Sequence, residues 1–348
     1  QTMHKEGVSL DEQAFVLFFQ ACSILADEEA ITIVEGRPIK IMSLEIGRAL
    51  HKDAKQKGLD SGTFVGGSIL HMYGKCGSID DAEDVFVALP QRDVVSWNAL
   101  LTGYAEHGLA EQVLDGFQKM QEDGISSTSA TLVSSLRACT ILESIDKGRT
   151  VHVEIAQEGY EEDVFVCSAL VDMYAKCGSL EEARDTFDSL RAHDVVTWTT
   201  LIVAYTEHGC GEEALRCMEK MKLEGFLPDA TTLVCTLKAC ISIGAFNTGQ
   251  DLHLYALKVG LERNAFVANC LIEMYASYSP YADAKYLFDN MPSRDVVSWN
   301  SLISGFSEQG FHEEVLDCFE QMQLENVSSN PGTHINFLKS CGSVGAIE

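Results

Sequence analysis

The three tryptophans of the chain, Trp97, Trp198 and Trp299, stand 101 residues apart, and their surroundings repeat with them. They sit in DVVSWNALLTGYAEHG, DVVTWTTLIVAYTEHG and DVVSWNSLISGFSEQG. His51, His152 and His253 keep the same interval inside GRALH, GRTVH and GQDLH, and so do Cys139, Cys240 and Cys341. A fixed period of this kind marks an array of supersecondary units, none of which can bury its apolar face alone. A block of 101 residues is too long for one helical hairpin. Turn punctuation divides it: GYEED, GFLPD and the closing Asp of QRD, AHD and SRD each precede a new apolar run. The resulting pieces of 35, 35 and 31 residues parse the chain as 1–11, 12–62, 63–93, 94–128, 129–163, 164–194, 195–229, 230–264, 265–295, 296–330 and 331–348. Only 12–62 breaks the rule. Between Cys22 and Gly47 it carries 16 residues more than the stretch from Cys139 to Gly148, and the Gly-Arg-Pro within it predicts an inserted surface loop.

Each piece reads as two helices. In 94–128, Trp97, Leu101 and Tyr104 form one apolar stripe. After the His107-Gly108 break, Val113, Leu114, Phe117 and Met120 form another, which Gly124 ends. In the short pieces the second helix opens on Ser78-x-x-Asp81 and Ser179-x-x-Glu182. There the serine is expected to cap exposed amides, with a full capping box at Ser179. The tryptophans fall in helical register with Leu and Tyr, so they are expected in the core rather than as stacking platforms. The twelve cysteines show no CxxC pair and no two histidines lie four apart, which predicts reduced, core-packing thiols and neither metal nor cofactor. No apolar run approaches the roughly 20 residues of a membrane span. Gln1 to Gly7 lack a signal pattern; the chain begins and ends in mid-repeat, so any targeting segment is expected outside it.

The strings VVSWN, LVDMYAKCGSLEEARDTFDSL and EGFLPD resemble the pentatricopeptide repeat family, and the alternation of 35, 35 and 31 residues is similar to its P-L-S subclass of land-plant organelle proteins. The resemblance covers nearly the whole chain and implies an all-α solenoid, a right-handed superhelix of helix-turn-helix repeats. Units 94–128, 195–229 and 296–330 then correspond to P; 12–62, 129–163 and 230–264 to L; 63–93, 164–194 and 265–295 to S, with 1–11 and 331–348 as partial P and L units. It further implies a repeat region without the C-terminal E/DYW-type domains, in a mitochondrial or chloroplast RNA-editing or RNA-processing factor. The partners it implies are single-stranded RNA and protein editing cofactors, with no membrane and no small-molecule substrate.

Such proteins bind RNA along a concave face lined by first helices, about one base per repeat. The resemblance assigns base reading to the fifth and last residues of a unit and packing against base faces to the second. In P units the readers are Asn98 with Thr128, Thr199 with Asp229, and Asn300 with Asn330. In S units they are Gly67 with Asp93, Ser168 with Asp194, and Asn269 with Asp295. The packing residues are Val95, Val196 and Val297 in P units, and Phe64, Phe165 and Phe266 in S units. These six belong either to an RNA interface or to packing between repeats, and the sequence leaves that open. The implied bases are G for Thr199-Asp229 and Ser168-Asp194, U for Asn269-Asp295, C for Asn300-Asn330 and a pyrimidine for Asn98-Thr128. Val16, Val133 and Val234 at the fifth position of L units cannot hydrogen-bond a base, and Gly67 departs from the pattern.

Charge runs against this reading. Twenty-five basic and 52 acidic residues leave −27, whereas nucleic-acid binders usually carry a basic footprint. The family's phosphate-contacting lysine at position 13 is met by Lys75 and Lys176, but the third S unit has Ser277 and the P units have Glu106, Glu207 and Glu308. Many acids cluster at the start of second helices, where the helix dipole favours them, and would face away from a groove of first helices. Weak, salt-sensitive binding is therefore expected. His152-Val-Glu154 lacks the P-C-x-x-C of a zinc deaminase, and His312-Glu313 lacks the second His of H-E-x-x-H, so no catalysis is expected. The alternative is an acidic helical-repeat scaffold that binds proteins.

Overall fold

In the computed structural model, residues 11–34, 37–190, 193–279, 281–291 and 293–345 are described. The chain divides into two compact units between residues 192 and 193. The first contains α1 (Glu12–Glu28), β1 (Thr32–Val34), β2 (Arg37–Ile39), α2 (Ile41–Gln56), α3 (Thr63–Cys76), α4 (Ile79–Ala88), α5 (Val94–Glu106), α6 (Ala110–Glu122), α7 (Ser129–Ile141), α8 (Ile145–Glu158), α9 (Val164–Lys176) and α10 (Leu180–Ser189). The second contains α11 (Val195–Glu207), α12 (Gly211–Leu223), α13 (Ala230–Ile243), α14 (Phe246–Val259), a 3-10 turn at Leu261–Arg263, α15 (Ala265–Tyr278), α16 (Tyr281–Asp289), α17 (Val296–Gln309), α18 (His312–Leu324) and α19 (Pro331–Val344). Among the described residues the protein is all-α apart from one two-stranded hairpin, and within each unit helical hairpins stack as in a solenoid.

The helix starts follow from capping. Asp11, Asp93, Thr128, Asp163, Asp194, Asp229, Asn264, Asp295 and Asn330 each precede a first helix and accept a hydrogen bond from a first-turn amide. Such caps contribute about 1 kcal/mol apiece. Of the terminal partial units, 1–11 lies outside the described residues except for Asp11. In the P units the chain turns from first to second helix through Gly108, Gly209 and Gly310, with φ of 70°, 73° and 79°, a region closed to most side chains.

Within each unit, first helices pack on the first helices before and after them, and each second helix covers its own partner and the next first helix of that unit. The odd-numbered helices α1 to α9 thus form one layer in the first unit and α11 to α19 one in the second. Between S and P units the layer is tight. A Cβ on Gly74 of α3 would lie 3.1 Å from the Cα of Gly103 in α5, and one on Gly305 of α17 would lie 2.3 Å from the Cβ of Ala276 in α15. The tryptophans fill the core as the apolar register requires: Trp97, Trp198 and Trp299 are 3%, 2% and 0% exposed. Eight cysteines are buried, and burial pushes the Cys76 and Cys318 thiols up to about 12 and those of Cys139, Cys167, Cys240 and Cys270 to about 11. They are packing groups rather than nucleophiles.

Two sequence expectations are corrected. The insertion in 12–62 is not an irregular loop: α1 runs to 17 residues against 13 for α7, and Thr32–Val34 pairs antiparallel with Arg37–Ile39. Ser78 and Ser179 do not cap amides with their side chains. Each donates instead, at 2.7 Å, to the carboxylate of Asp81 or Glu182. That carboxylate also takes a guanidinium from the preceding hairpin, Arg48 at 2.7 Å or Arg149 at 2.9 Å, and two-pronged charge pairing outweighs an N-cap bond for it.

The periodic histidines link the same hairpins. Nδ1 of His51, His152 and His253 lies 2.9, 2.9 and 3.0 Å from the hydroxyls of Tyr73, Tyr174 and Tyr275. Burial holds all three imidazoles below their ordinary pKa. The folded state therefore resists a proton that the unfolded chain accepts near pH 6.5, and stability falls as pH drops below that value. Melting curves between pH 8 and 5 are expected to show a decline attributable to these residues. A His51→Gln, His152→Gln, His253→Gln triple variant should lose that component and melt less pH-dependently than the parent.

Candidate nucleic-acid interface

Residues 2, 5, 9 and 13 of a unit lie on one stripe of its first helix, by the spacing i, i+3, i+7 and i+11. In the second position Phe64, Phe165 and Phe266 are 75%, 76% and 73% exposed, and Val95, Val196 and Val297 are 53%, 55% and 51% exposed. They are not consumed by packing between repeats. A single exposed apolar side chain means little, but three at one register position in each unit form a row there that no core contact explains.

Beside that row stand the fifth and last residues. The last residue of each P and S unit is at once the N-cap of the next first helix, so one of its oxygens is already occupied by a backbone amide. For Asp295 this amide, from Ser298, holds the carboxyl below its usual range. Asn98 Nδ2 donates directly to Thr128 Oγ1 at 3.0 Å. Thr199 and Asp229 meet through Thr232, whose hydroxyl lies 2.7 Å from Thr199 Oγ1 and donates to Asp229 Oδ1 at 2.9 Å. Asn300 and Asn330 meet through Thr333, which donates to Asn300 Oδ1 at 2.6 Å and reaches Asn330 Oδ1 at 3.1 Å. In two S units the fifth residue is unpaired: Ser168 Oγ and Asn269 Oδ1 are buried with no hydrogen-bond partner among the described residues. Asp93 accepts the amide of Ser96 and Asp295 that of Ser298, as caps. Ser168 lies in the first unit and Asp194, capping α11, in the second. Gly67 presents no side chain and faces Val95, 3.2 Å from where a Cβ would stand.

Two groups on this face escaped the sequence reading. Thr131, Thr232 and Thr333, 101 apart, are 1%, 0% and 0% exposed and tie each P unit to the L unit that follows. Arg137, Lys238 and Lys339, also 101 apart, occupy the ninth position of L units. All three are exposed, and none forms an ion pair with a described residue. The expected lysines are less available. Lys75 is held between Glu106 at 2.7 Å and Asp27 at 3.2 Å, and the Glu106 hydrogen bond, the largest cause, raises its pKa. Lys176 pairs with Asp172 at 3.1 Å.

The charge distribution softens the conflict with −27. On the nine first helices from α3 to α19, Lys75, Arg137, Lys176, Lys238 and Lys339 balance Glu106, Asp172, Glu207, Glu273 and Glu308. Within the helix bounds these charges cancel beyond α1, while the caps Asp93, Asp163, Asp194, Asp229 and Asp295 add negative charge at the helix starts. The excess sits on second helices and connections, as in the exposed Asp80, Glu83, Asp84, Glu181 and Asp185.

A model of the PPR repeat family matches residues 92–140, 193–242 and 294–343, and a second PPR repeat model matches 67–94 and 165–195. Among curated proteins of Arabidopsis thaliana, the pentatricopeptide repeat-containing protein At2g33680 is 33% identical over 87% of this chain and 42% of its own length. The chloroplastic At1g11290 is 34% identical over 85% and 36%, and the mitochondrial At2g03380 is 33% identical over 99% and 47%. The chain thus spans less than half the length of these relatives. Among solved structures, pentatricopeptide repeat protein PPR10 in complex with an 18-nt psaJ RNA element superposes with TM-score 0.71 at 15% identity, over 99% of this chain and 55% of that one. Yeast Rmd9p in complex with a 16-nt target RNA gives 0.52 at 12% identity, over 94% and 76%.

Proposed function

Because the chain belongs to the pentatricopeptide repeat family, we propose that it binds single-stranded RNA along the face of its first helices, each P or S unit taking one base. The observation that carries this reading is the exposed second-position side chains, Phe64, Val95 and Phe165 in the first unit and Val196, Phe266 and Val297 in the second, beside polar fifth and last residues. Stiff apolar side chains suit the faces of unstacked bases, and short polar ones suit their edges. PPR10 and Rmd9p, with the same fold, were each solved with RNA, which supports the partner. The chain is read as the addressing part of an organelle RNA-editing or RNA-processing factor, acting by binding and leaving chemistry to other components. Relatives named as chloroplastic or mitochondrial support that location.

L units take a different role. Their fifth residues Val16, Val133 and Val234 offer no hydrogen bond, whereas Arg137 and Lys238 stand one turn further on. They grip the phosphate between the bases that P and S units read. Titration at low salt with a strand ordered G, G, any, U, C, set against residues 164–330, is expected to give tighter binding than a permuted strand. Removing Arg137, Lys238 and Lys339 together should weaken all strands alike and flatten the log–log salt dependence by about 2 units, at roughly 0.7 per lost phosphate contact. Absence of binding even at low salt would overturn the reading in favour of an acidic protein-binding scaffold.

A further inference from the structure

We infer that the buried threonine at the third position of each L unit, Thr232 and its counterparts, is a specificity-determining residue: it fixes whether the fifth residue of the preceding P unit offers a base an acceptor or a donor. The inference rests on base reading by P units as proposed above and goes beyond it, because the threonine itself touches no base.

The argument is proton accounting. Thr232 is fully buried and its hydroxyl has one proton to give. Asp229 Oδ1 lies 2.9 Å away and, as a carboxylate oxygen, can only accept, so the proton goes there in a charge-assisted bond. The 2.7 Å contact between Thr232 Oγ1 and Thr199 Oγ1 must then be bridged by the proton of Thr199. Thr199 is left with lone pairs alone for a base. Together with the free oxygen of Asp229, this makes an edge of acceptors, which suits a base with adjacent donors on its Watson–Crick edge, namely the N1–H and N2–H of guanine.

In the next P unit the polarity is reversed. Asn330 is neutral, and Thr333 donates over the shorter distance to Asn300 Oδ1, 2.6 Å against 3.1 Å to Asn330 Oδ1. The Asn300 carbonyl is tied to the protein, so its amide hydrogens face outward. A donor there suits the N3 and O2 acceptors of cytosine. In the first unit the three groups close on themselves: Asn98 donates to Thr128 at 3.0 Å, Thr128 and Thr131 share a 2.8 Å bond, and Thr131 donates to Asn98 Oδ1. That unit is the least discriminating of the three.

The test is base preference in the 348-residue chain with Thr232→Val, which keeps the β-branched shape and loses the hydroxyl, and Thr232→Ser, which restores it. Short RNA strands carrying each of the four bases opposite 195–229 are titrated by fluorescence anisotropy. The parent is expected to prefer G by about tenfold, Thr232→Val by less than about threefold, and Thr232→Ser to regain most of the difference, the size of one hydrogen bond. Thr333→Val should independently erode the preference for C opposite 296–330. Equal weakening for all four bases in both valine variants, or a preference left intact in both, overturns the inference while base reading stands. A parent that binds RNA without preference at these bases overturns base reading and this inference together; a parent that binds no RNA overturns the proposed function itself.

Discussion

Replacing Trp299 by alanine is expected to destabilise the second unit by about 3–5 kcal/mol, the upper range for core truncations. Trp299 is 0% exposed and meets Phe288 edge-on, with centroids 4.5 Å apart at 62°. Ile272, Leu302, Ile303, Phe306 and Met322 belong to the same cluster. The cavity would open at the junction of α15, α16 and α17, where the Gly305–Ala276 approach leaves the backbone no room to collapse inward. A stack of repeats is stabilised mainly through nearest-neighbour interfaces, so the loss should appear as early unfolding of the repeats around α17 rather than as a uniform shift. Thermal melts followed by hydrogen exchange would show it: amides of α15 to α18 should lose protection while those of α3 to α7 keep theirs. A uniform loss through both units would contradict a nearest-neighbour stack.

What was legible in the sequence, and what was not, divides by distance along the chain. The 101-residue period and the stripe through Trp97, Leu101 and Tyr104 are local patterns, and they specified the helical hairpins, whereas whether the second-position side chains face solvent or a neighbouring repeat was open until the structure placed them in solvent. The roles of Ser78 and Ser179 depended on Arg48 and Arg149, roughly one hairpin upstream, whose guanidiniums turn the nearby carboxylate away from the helix end. Lys75 resembled a phosphate contact until the longer α1 brought Asp27 to it. Strands of three residues are too short to alternate visibly, so Thr32–Val34 and Arg37–Ile39 read as loop. Thr131, Thr232 and Thr333 were visible as a period but not as a function. Their meaning depends on the last residue of one unit also capping the next helix, which delivers the third residue of that helix to the fifth residue of the one before.

The second large effect separates binding from folding. Phe165→Ala with Phe266→Ala should cost about 1–3 kcal/mol of RNA affinity per substitution, the usual range for stacking on a base, and leave the melting temperature unchanged. Both side chains stand about three-quarters in solvent, so truncation leaves no cavity and removes little buried area. Each sits one turn from an unpartnered fifth-position group, Ser168 Oγ or Asn269 Oδ1, in units whose polar pair has no threonine relay. Base-face contact therefore carries a larger share of the energy there than in P units. The corresponding valine change, Val196→Ala, removes a smaller apolar face beside the Thr199–Thr232–Asp229 relay and should weaken binding less while leaving base preference in place. Anisotropy titrations paired with melts check both halves. Unchanged affinity in the double phenylalanine variant would place RNA elsewhere on the protein, and a lowered melting temperature would return these side chains to packing between repeats.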